Sequence, residues 1–594
     1  MKNIYLIVII IILIGLQLPA QQVGSAFLDV NNVKARFNSN GVNFWDLQGS
    51  AQYFVPANST QTSFFSQSLW LAGKDSLGHD RYAADLYGVG GFFCTSGPIS
   101  NNYDSIYDLQ WNRIFVIYRS AIDSFLNWFA NPSSFPGYQI PNEILHWPAH
   151  GDVSKGQAYY LAPFKDVNND GVYNPSMGDY PLMKGDKALW YVYNDDRQTQ
   201  LGLTNIKIGA EIQVMAYAYN CNEVFDNTIF IDYSIYKRSP GNLTDCKLGI
   251  YADFDLGYFN DDYLGCDVKR GSFYCYNGDN IDDIGFPSSY GINPPAIGIS
   301  VLNGPYMDPD GIDNPNFILD SLGNPIPACD NSINGRNFGD GIIDNEKIGL
   351  TGFSSFVNNT NPPGSFPDTN FHILNLLNNR WGNGSRIFYG ATGDSLKGAY
   401  GPACTFMYPG LTDPCNWGLG GLPPNGPQVW TEETAANPPG DRRGFGFLGP
   451  FIILGNNQQF EPVRLELAFV WARDSINRSL PVLMSAIDTV RFYSQNNMTP
   501  CGGTFLDLPK NSDNSSVLGI EFYPNPAQNQ TNIIFSQAFS GQIELFDLTG
   551  KRIYFFDLQN SFSFNLNLSQ VEQGLYFVRI SGDSFSKVKK LVKN

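Results

Sequence analysis

Charge is scarce in this chain. Asp, Glu, Lys and Arg make up only 15% of its 594 residues, against about 25% in an average globular domain. Positive charge is the scarcer kind, with 37 Lys and Arg against 55 Asp and Glu and a net charge of −18. A nucleic-acid backbone is gripped by Lys and Arg, so the expected partners include no nucleic acid. Histidine is rarer still, with only His79, His146, His150 and His372. His146 and His150 have the spacing of a helical zinc pair, but Pro148 lies between them and breaks such a helix. GxSxG, P-loop and helix-opening GxGxxG motifs are missing, which leaves nucleophilic and nucleotide chemistry without a signal. The nine cysteines include no CxxC pair, the usual mark of zinc or redox sites. No repeat of 20–50 residues occurs, which argues against a propeller or solenoid. After residue 20 no apolar run approaches the ~20 residues of a membrane span.

Aromatic residues, by contrast, reach 14%, and the chain carries 59 Gly and 37 Pro. With 43% hydrophobic residues, this composition describes many short aromatic strands joined by turns. At roughly 100–200 residues per domain, the length allows two to four domains. The expected organisation is a targeting segment over 1–20, a β-rich body over 21–500 that has room for two sub-domains, a linker over 501–517 and a C-terminal domain over 518–594. The fold class expected is mainly β: a large sandwich-like body with few helices and a small immunoglobulin-like antiparallel sandwich behind it.

The targeting segment follows the charged, apolar, small order of a secretory signal peptide. Lys2 precedes the aliphatic run Ile4–Leu18, and Ala20 stands before Gln21. Export leads to an oxidising compartment where disulfides form. Cys266 and Cys275, and Cys404 and Cys415, are close enough for local pairs. The alternative is that several cysteines are buried small apolar residues. In the body, strand-like runs recur at Ala188–Tyr193, Ile206–Tyr219, Thr228–Tyr236, Cys246–Asp253, Ile297–Leu302 and Val463–Trp471. Helical periodicity is confined to Arg119–Phe129, Leu480–Ser494 and the short Phe371–Trp381.

From Val517 onward alternating segments follow one another closely, about seven in all. Tyr523-Pro524-Asn525-Pro526 opens this stretch, a turn from Asp547 to Gly550 divides it, Gly574-Leu575-Tyr576 follows, and Lys589-Lys590 nearly closes it. In that order the stretch resembles the type A C-terminal sorting domain of type IX secretion. The resemblance implies handling by the type IX secretion machinery, passage through the outer membrane of a Gram-negative bacterium, and removal of the sorting domain. The cargo is then released or attached to surface glycolipid. The body has its own resemblance. Phe338–Glu346, Met407–Gly410, Trp430–Glu432, Gly440–Arg443 and Val470–Arg473 come in that order. They are similar to a group of large surface-exported bacterial proteins without established activity, which adds no catalytic assignment.

Candidate chemistry is carboxylate chemistry. Asp166, Asn168 and Asp170 put hard oxygens at positions 1, 3 and 5 of a loop, and Gly171 at position 6 permits the sharp turn of a calcium loop. A backbone carbonyl near Val172 and the later Asp179 complete the expected Ca²⁺ ligands. Met177 stands where an EF-hand carries its bidentate Glu, so the loop is no EF-hand. The bland alternative is an Asx-rich turn without metal. Asp253, Asp255, Asp261, Asp262 and Asp267 form a second acidic group, and Asp308, Asp310 and Asp313 with Asp340, Asp344 and Glu346 a third. Trp381, Trp417 and Trp430 lie in loop-rich stretches where exposed rings can stack on sugars, although core packing is the commoner use. Two readings follow. One is a non-enzymatic structural, adhesion or binding protein with an extracellular glycan or protein ligand. The other is a secreted glycan-active hydrolase with paired carboxylates.

Overall fold

The structure is a computed structural model. It describes residues 23–593 except for 86–92, 198–206, 284, 308–309, 320–324, 328, 330–332, 358–369, 456–461, 501–519, 524, 526, 548–550 and 583–584. The expected signal peptide, the linker, Asp308, Pro524, Pro526 and Gly550 therefore lie outside the described residues.

The strands, in chain order, begin with β1 (Ser25–Leu28), β2 (Lys34–Asn38), β3 (Tyr53–Phe54), β4 (Thr62–Lys74), β5 (Asp80–Ala83), β6 (Thr95–Ser96) and β7 (Phe115–Tyr118). They continue with β8 (Phe164–Lys165), β9 (Tyr180–Pro181), β10 (Lys187–Asn194), β11 (Ala210–Ala218), β12 (Thr228–Lys237), β13 (Leu243–Phe254), β14 (Asp262–Asp267), β15 (Ser272–Asn277) and β16 (Ala296–Asn303). After the short pair β17 (Phe317–Leu319) and β18 (Pro325–Pro327) come β19 (Gly352–Val357), β20 (Arg442–Ile453) and β21 (Val463–Ala472). The tail holds β22 (Ile520–Tyr523), β23 (Gln530–Phe546), β24 (Arg552–Asn567), β25 (Gly574–Gly582) and β26 (Phe585–Lys593). The helices are α1 (Ser105–Trp111), α2 (Arg119–Ala130), α3 (Asn142–Leu145), α4 (Glu223–Asp226), α5 (Asn370–Leu377) and α6 (Leu480–Gln495). The chain is mainly β, as its composition implies.

Two antiparallel sheets build the body. The first runs β1-β2-β3-β4-β13-β20-β19, with β5 also on β4. The second runs β14-β15-β16-β21-β12-β11-β10-β6, with β7 also on β10. Strand β21, late in the chain, thus sits between β16 and β12. The sheets face each other across an aromatic core in which Phe469 of β21 meets Phe64 of β4 at 5.6 Å and Phe273 of β15 meets Phe353 of β19 at 5.2 Å. Strand β10 shows why the pattern is apolar on both faces. Leu189, Tyr191 and Tyr193 point into the inter-sheet core, while Ala188, Trp190 and Val192 point to a second core beyond the sheet. Helices α2, α3 and α6 cover that outer face.

Helix α6 begins with Pro481 in its first turn, where a missing N–H costs nothing. Its buried Leu483, Ala486, Ile487 and Val490 fall on one stripe at helical spacing and pack on β16 and β21. The tail is one curled five-stranded antiparallel sheet, where the sequence spacing predicts about seven strands. The difference lies in β23 and β24. Each is long enough to read as two strands, because register shifts at Ile534, Phe539 and Gly541 interrupt the alternation without ending the strand. β22 pairs with the first half of β23 and β25 with its second half.

The expected local cysteine pairs do not form. Cys329 is bonded to Cys415, while Cys94, Cys246, Cys266, Cys275 and Cys404 are free and buried. Burial pushes these thiols up, Cys246 to about 12, so they stay protonated and pack as small apolar groups.

Candidate functional site

The loop over 166–179 is closed at its base by the ladder of β8 and β9, which pairs Phe164 with Pro181 and Lys165 with Tyr180. Asn169 and Gly171 take positive φ, 58° and 76°, and this folds the loop back on itself. Asp166 then accepts the Gly171 N–H at 2.8 Å, and Asp170 accepts the Val172 N–H at 2.8 Å and the Asn168 amide at 2.8 Å. Asp166, Asn168 and Asp170 are thereby brought together. Asp179 is fully buried and accepts the N–H groups of Val167 and Asn174, both at 2.8 Å. Its two oxygens tie the two ends of the loop rather than facing the other carboxylates alone. None of these three carboxylates has a Lys or Arg partner among the described residues. The donor types are all hard oxygen, the kind Ca²⁺ takes, although the three carboxylates do not all come within 4.8 Å of one another.

The second acidic group divides. Asp267 pairs with Arg270 at 2.6 Å, and Asp262 accepts the Leu256 N–H at 3.2 Å. Asp253 and Asp255 instead join Asp441, a residue that no acidic count along the sequence singles out, with carboxylate oxygens within 4.8 Å of one another. Antiparallel register explains the meeting. Asp253 is opposite Arg443 in the β13–β20 ladder, so the next outward positions, Asp255 and Asp441, face each other just beyond the strand ends. The legible signal is Asp-x-Asp at one strand end and Asp-x-Arg at its partner's. Arg443 binds Asp253 at 3.1 Å and also Asp441. Burial, then the charges of Asp253 and Asp441, hold the Asp255 carboxyl well above the usual carboxylate range, with Arg443 opposing.

In the third group Asp313 accepts the Gly339 and Gly341 N–H groups at 2.8 and 2.7 Å, Asp344 accepts that of Gly311 at 2.8 Å, and Glu346 that of Asn314. These carboxylates close two facing loops onto each other, with Asp310 and Asp340 capping their own turns. Other motifs of the body are structural. Glu432 and Arg442 form a buried pair at 2.9 Å, and Arg473 donates to the carbonyls of Tyr290, Ile292 and Asn293. The expected sugar platforms are core residues instead. Trp381 and Trp430 are 3% and 1% exposed, and Trp417 packs half-buried on the same core.

In the tail, residues far apart in sequence form one clasp. The Asn525 side chain accepts the Val592 N–H at 2.9 Å, and the Ala527 N–H donates to the Val592 carbonyl at 2.7 Å. Lys589 reaches the Ile520 carbonyl and lies 5.9 Å from the Phe522 ring. Tyr523 pairs with Asn532, Gly574 with Lys593, Leu575 with Val592 and Lys590 with Phe577 in the ladders. Asp547 accepts the Lys551 N–H at 3.0 Å and closes the turn between β23 and β24, and Tyr576 donates to the Glu572 carbonyl at 2.9 Å.

A family model described as Secretion system C-terminal sorting domain matches residues 521–594. The tail is a type IX sorting domain. Each described piece of the expected motif belongs to its clasp, its ladders or its turns, and Asn525 and Lys589 join the domain's two ends. A sorting domain engages the secretion machinery and directs the chain to the cell surface or the extracellular space. No helix among the described residues is long and apolar enough to cross a membrane. No curated protein matches the chain. A solved polysaccharide lyase aligns with 73% of this chain and 39% of its own at 7% identity, with a TM-score of 0.18. That likeness is too slight to carry an argument, and the chain spans well under half of that protein.

Proposed function

We propose that the exported cargo is a non-enzymatic surface protein of the structural, adhesion or binding kind, stabilised by Ca²⁺ in the loop over 166–179. The observation that carries this reading is the convergence of Asp166, Asn168 and Asp170 in a loop whose ends are tied by the β8–β9 ladder and by Asp179. Asp166 and Asp170 share one tight turn with no Lys or Arg partner among the described residues, and like charges held close repel. A divalent ion reverses that sign. With the backbone carbonyl near Val172 as a further ligand, the loop is fixed to the face that carries α2 and α3. The hydrolase reading needs two carboxyls facing across an open cleft that admits a sugar. The Asp253, Asp255 and Asp441 group lies instead at a sheet's strand ends, with Asp253 1% exposed. Attachment to surface glycolipid and an extracellular glycan or protein ligand belong to the same reading.

The test is a melting curve in calcium and in chelator. At calcium a hundredfold above Kd, binding adds about 2.7 kcal/mol, so the melting temperature rises in calcium. Asp170→Ala lowers that rise by the loop's share. Coincident curves for the wild type in the two buffers reduce the loop to an Asx turn.

A further inference from the structure

The four side chains at the end of the β13–β20 ladder form a two-by-two array on one face. Asp253 lies opposite Arg443 in the ladder, and Asp255 and Asp441 stand one position beyond its last pair, Phe254 and Arg442. Like charges directly opposite each other on a sheet are destabilising. Three carboxylates meet one guanidinium here, an excess of acidic groups that a divalent cation can offset. Arg443 takes Asp253 through Oδ2 and Asp441 through Oδ1, and this fixes both carboxylates in orientation. Each of the three carboxylates offers an oxygen within 4.8 Å of the others, so one divalent ion can touch all three. A cage of protein oxygens is a Ca²⁺ ligand set, whereas Mg²⁺ keeps several waters.

A second, independent observation comes from the neighbouring strand. Ser66 of β4 is paired with Asp253 across the β4–β13 ladder, immediately before a register shift that turns Phe64 to the opposite face. Directly opposite residues put their side chains on the same face about 5 Å apart. Ser66 is 1% exposed, and its hydroxyl has no hydrogen-bond partner among the described residues. A buried hydroxyl left unmet is costly. Here it stands in one row with Asp253 and Arg443, on the face turned away from the second sheet. Asp255 and Asp441 are half-buried, which leaves the site a way to solvent.

We propose that Asp253, Asp255 and Asp441 bind one Ca²⁺ at the end of the β13–β20 ladder, with the Ser66 hydroxyl as a neutral oxygen donor. The ion joins three consecutive strands of the first sheet, β4, β13 and β20. This site is separate from the loop over 166–179 and does not depend on it.

Equilibrium dialysis of the full chain against radioactive calcium tests the proposal, with Asp170→Ala as the parent so that the loop is silent. Asp255→Asn, close to isosteric, is expected to lower the bound calcium by one equivalent per chain. Ser66→Ala is expected to keep the stoichiometry and weaken that one site about tenfold, in the range seen when groups around a metal are removed. Unchanged stoichiometry in a folded Asp255→Asn variant overturns the proposal. So does an equal rise in its melting temperature in calcium and in chelator, because that marks Asp255 as a carboxyl sharing a proton with its neighbours. If Asp255→Asn does not fold, Asp441→Asn is read against the same two outcomes.

Discussion

Single buried charges decide much of this protein's behaviour. Glu432 and Arg442 are 1% and 6% exposed, and Glu432 also accepts the Leu264 N–H at 3.0 Å. Glu432→Ala leaves the guanidinium buried and unpaired, so a loss of about 3–5 kcal/mol is expected, read as a lower denaturant midpoint. Asp195 gives a pH signature. It is buried, it accepts the N–H groups of Ile208 and Ala210 at 2.6 and 2.7 Å, and burial pushes its carboxyl up to about 6. Between the ordinary value of about 3.8 and about 6 the folded chain holds a proton that the unfolded chain has released. Stability therefore falls as pH rises through that window, by about 3 kcal/mol for this group, and the loss is complete above about 6. Asp195→Asn should flatten that part of a stability–pH curve, measured by denaturant midpoint at pH 4, 5, 6 and 7. At this scale the sequence was only partly legible. Asp166, Asn168 and Asp170 announce themselves because their ligand spacing is local. Asp441 and Ser66 do not, because ladder register and not chain distance brings them to Asp253.

Among the elements, legibility followed the strength of the pattern. The expected strands at Ala188–Tyr193, Thr228–Tyr236 and Val463–Trp471 match β10, β12 and β21 to within a residue or so at each end, since apolar runs buried on two faces leave no competing period. Helix α6 was equally plain. The tail was over-divided because a bulge and a turn leave the same break in alternation. Its clasp makes a prediction about β26. Leu591 is fully buried in the tail core, and Leu591→Ala should cost about 2–5 kcal/mol. Hydrogen exchange on the full chain should show faster exchange in β22, β23 and β26, with the body strands unchanged. Less of the chain should then reach the outside, measured by immunoblot of cell and medium fractions. Unaltered export with a loosened β26 would separate the clasp from sorting.

For the whole molecule, the composition already indicated sheets with few helices, and the tail motif indicated export. What the body does is less legible, because its acidic groups serve loops and strand ends that several functions can share. The expected signal peptide and the sorting domain together predict a processed product. Mass spectrometry of the exported protein should find an N-terminus near Gln21 and no peptides from about the last 75 residues. An intact C-terminus on the exported form would mean that sorting proceeds here without removal of the tail.

The place of β21 between β16 and β12 sets a clock. At a synthesis rate of about 5–20 residues per second, the roughly 225 residues between Lys237 and Val463 take on the order of 10–45 s to appear. Throughout that interval β12, and from residue 303 onward β16, have an edge with nothing to pair with, although both become central strands. Exposed apolar edges are templates for aggregation. The second sheet cannot be completed piecemeal from its early strands, and the chain has to be kept from misassociating until residue 472 has been made. Delay during synthesis, more than the stability of the finished sandwich, is the hazard that this strand order creates.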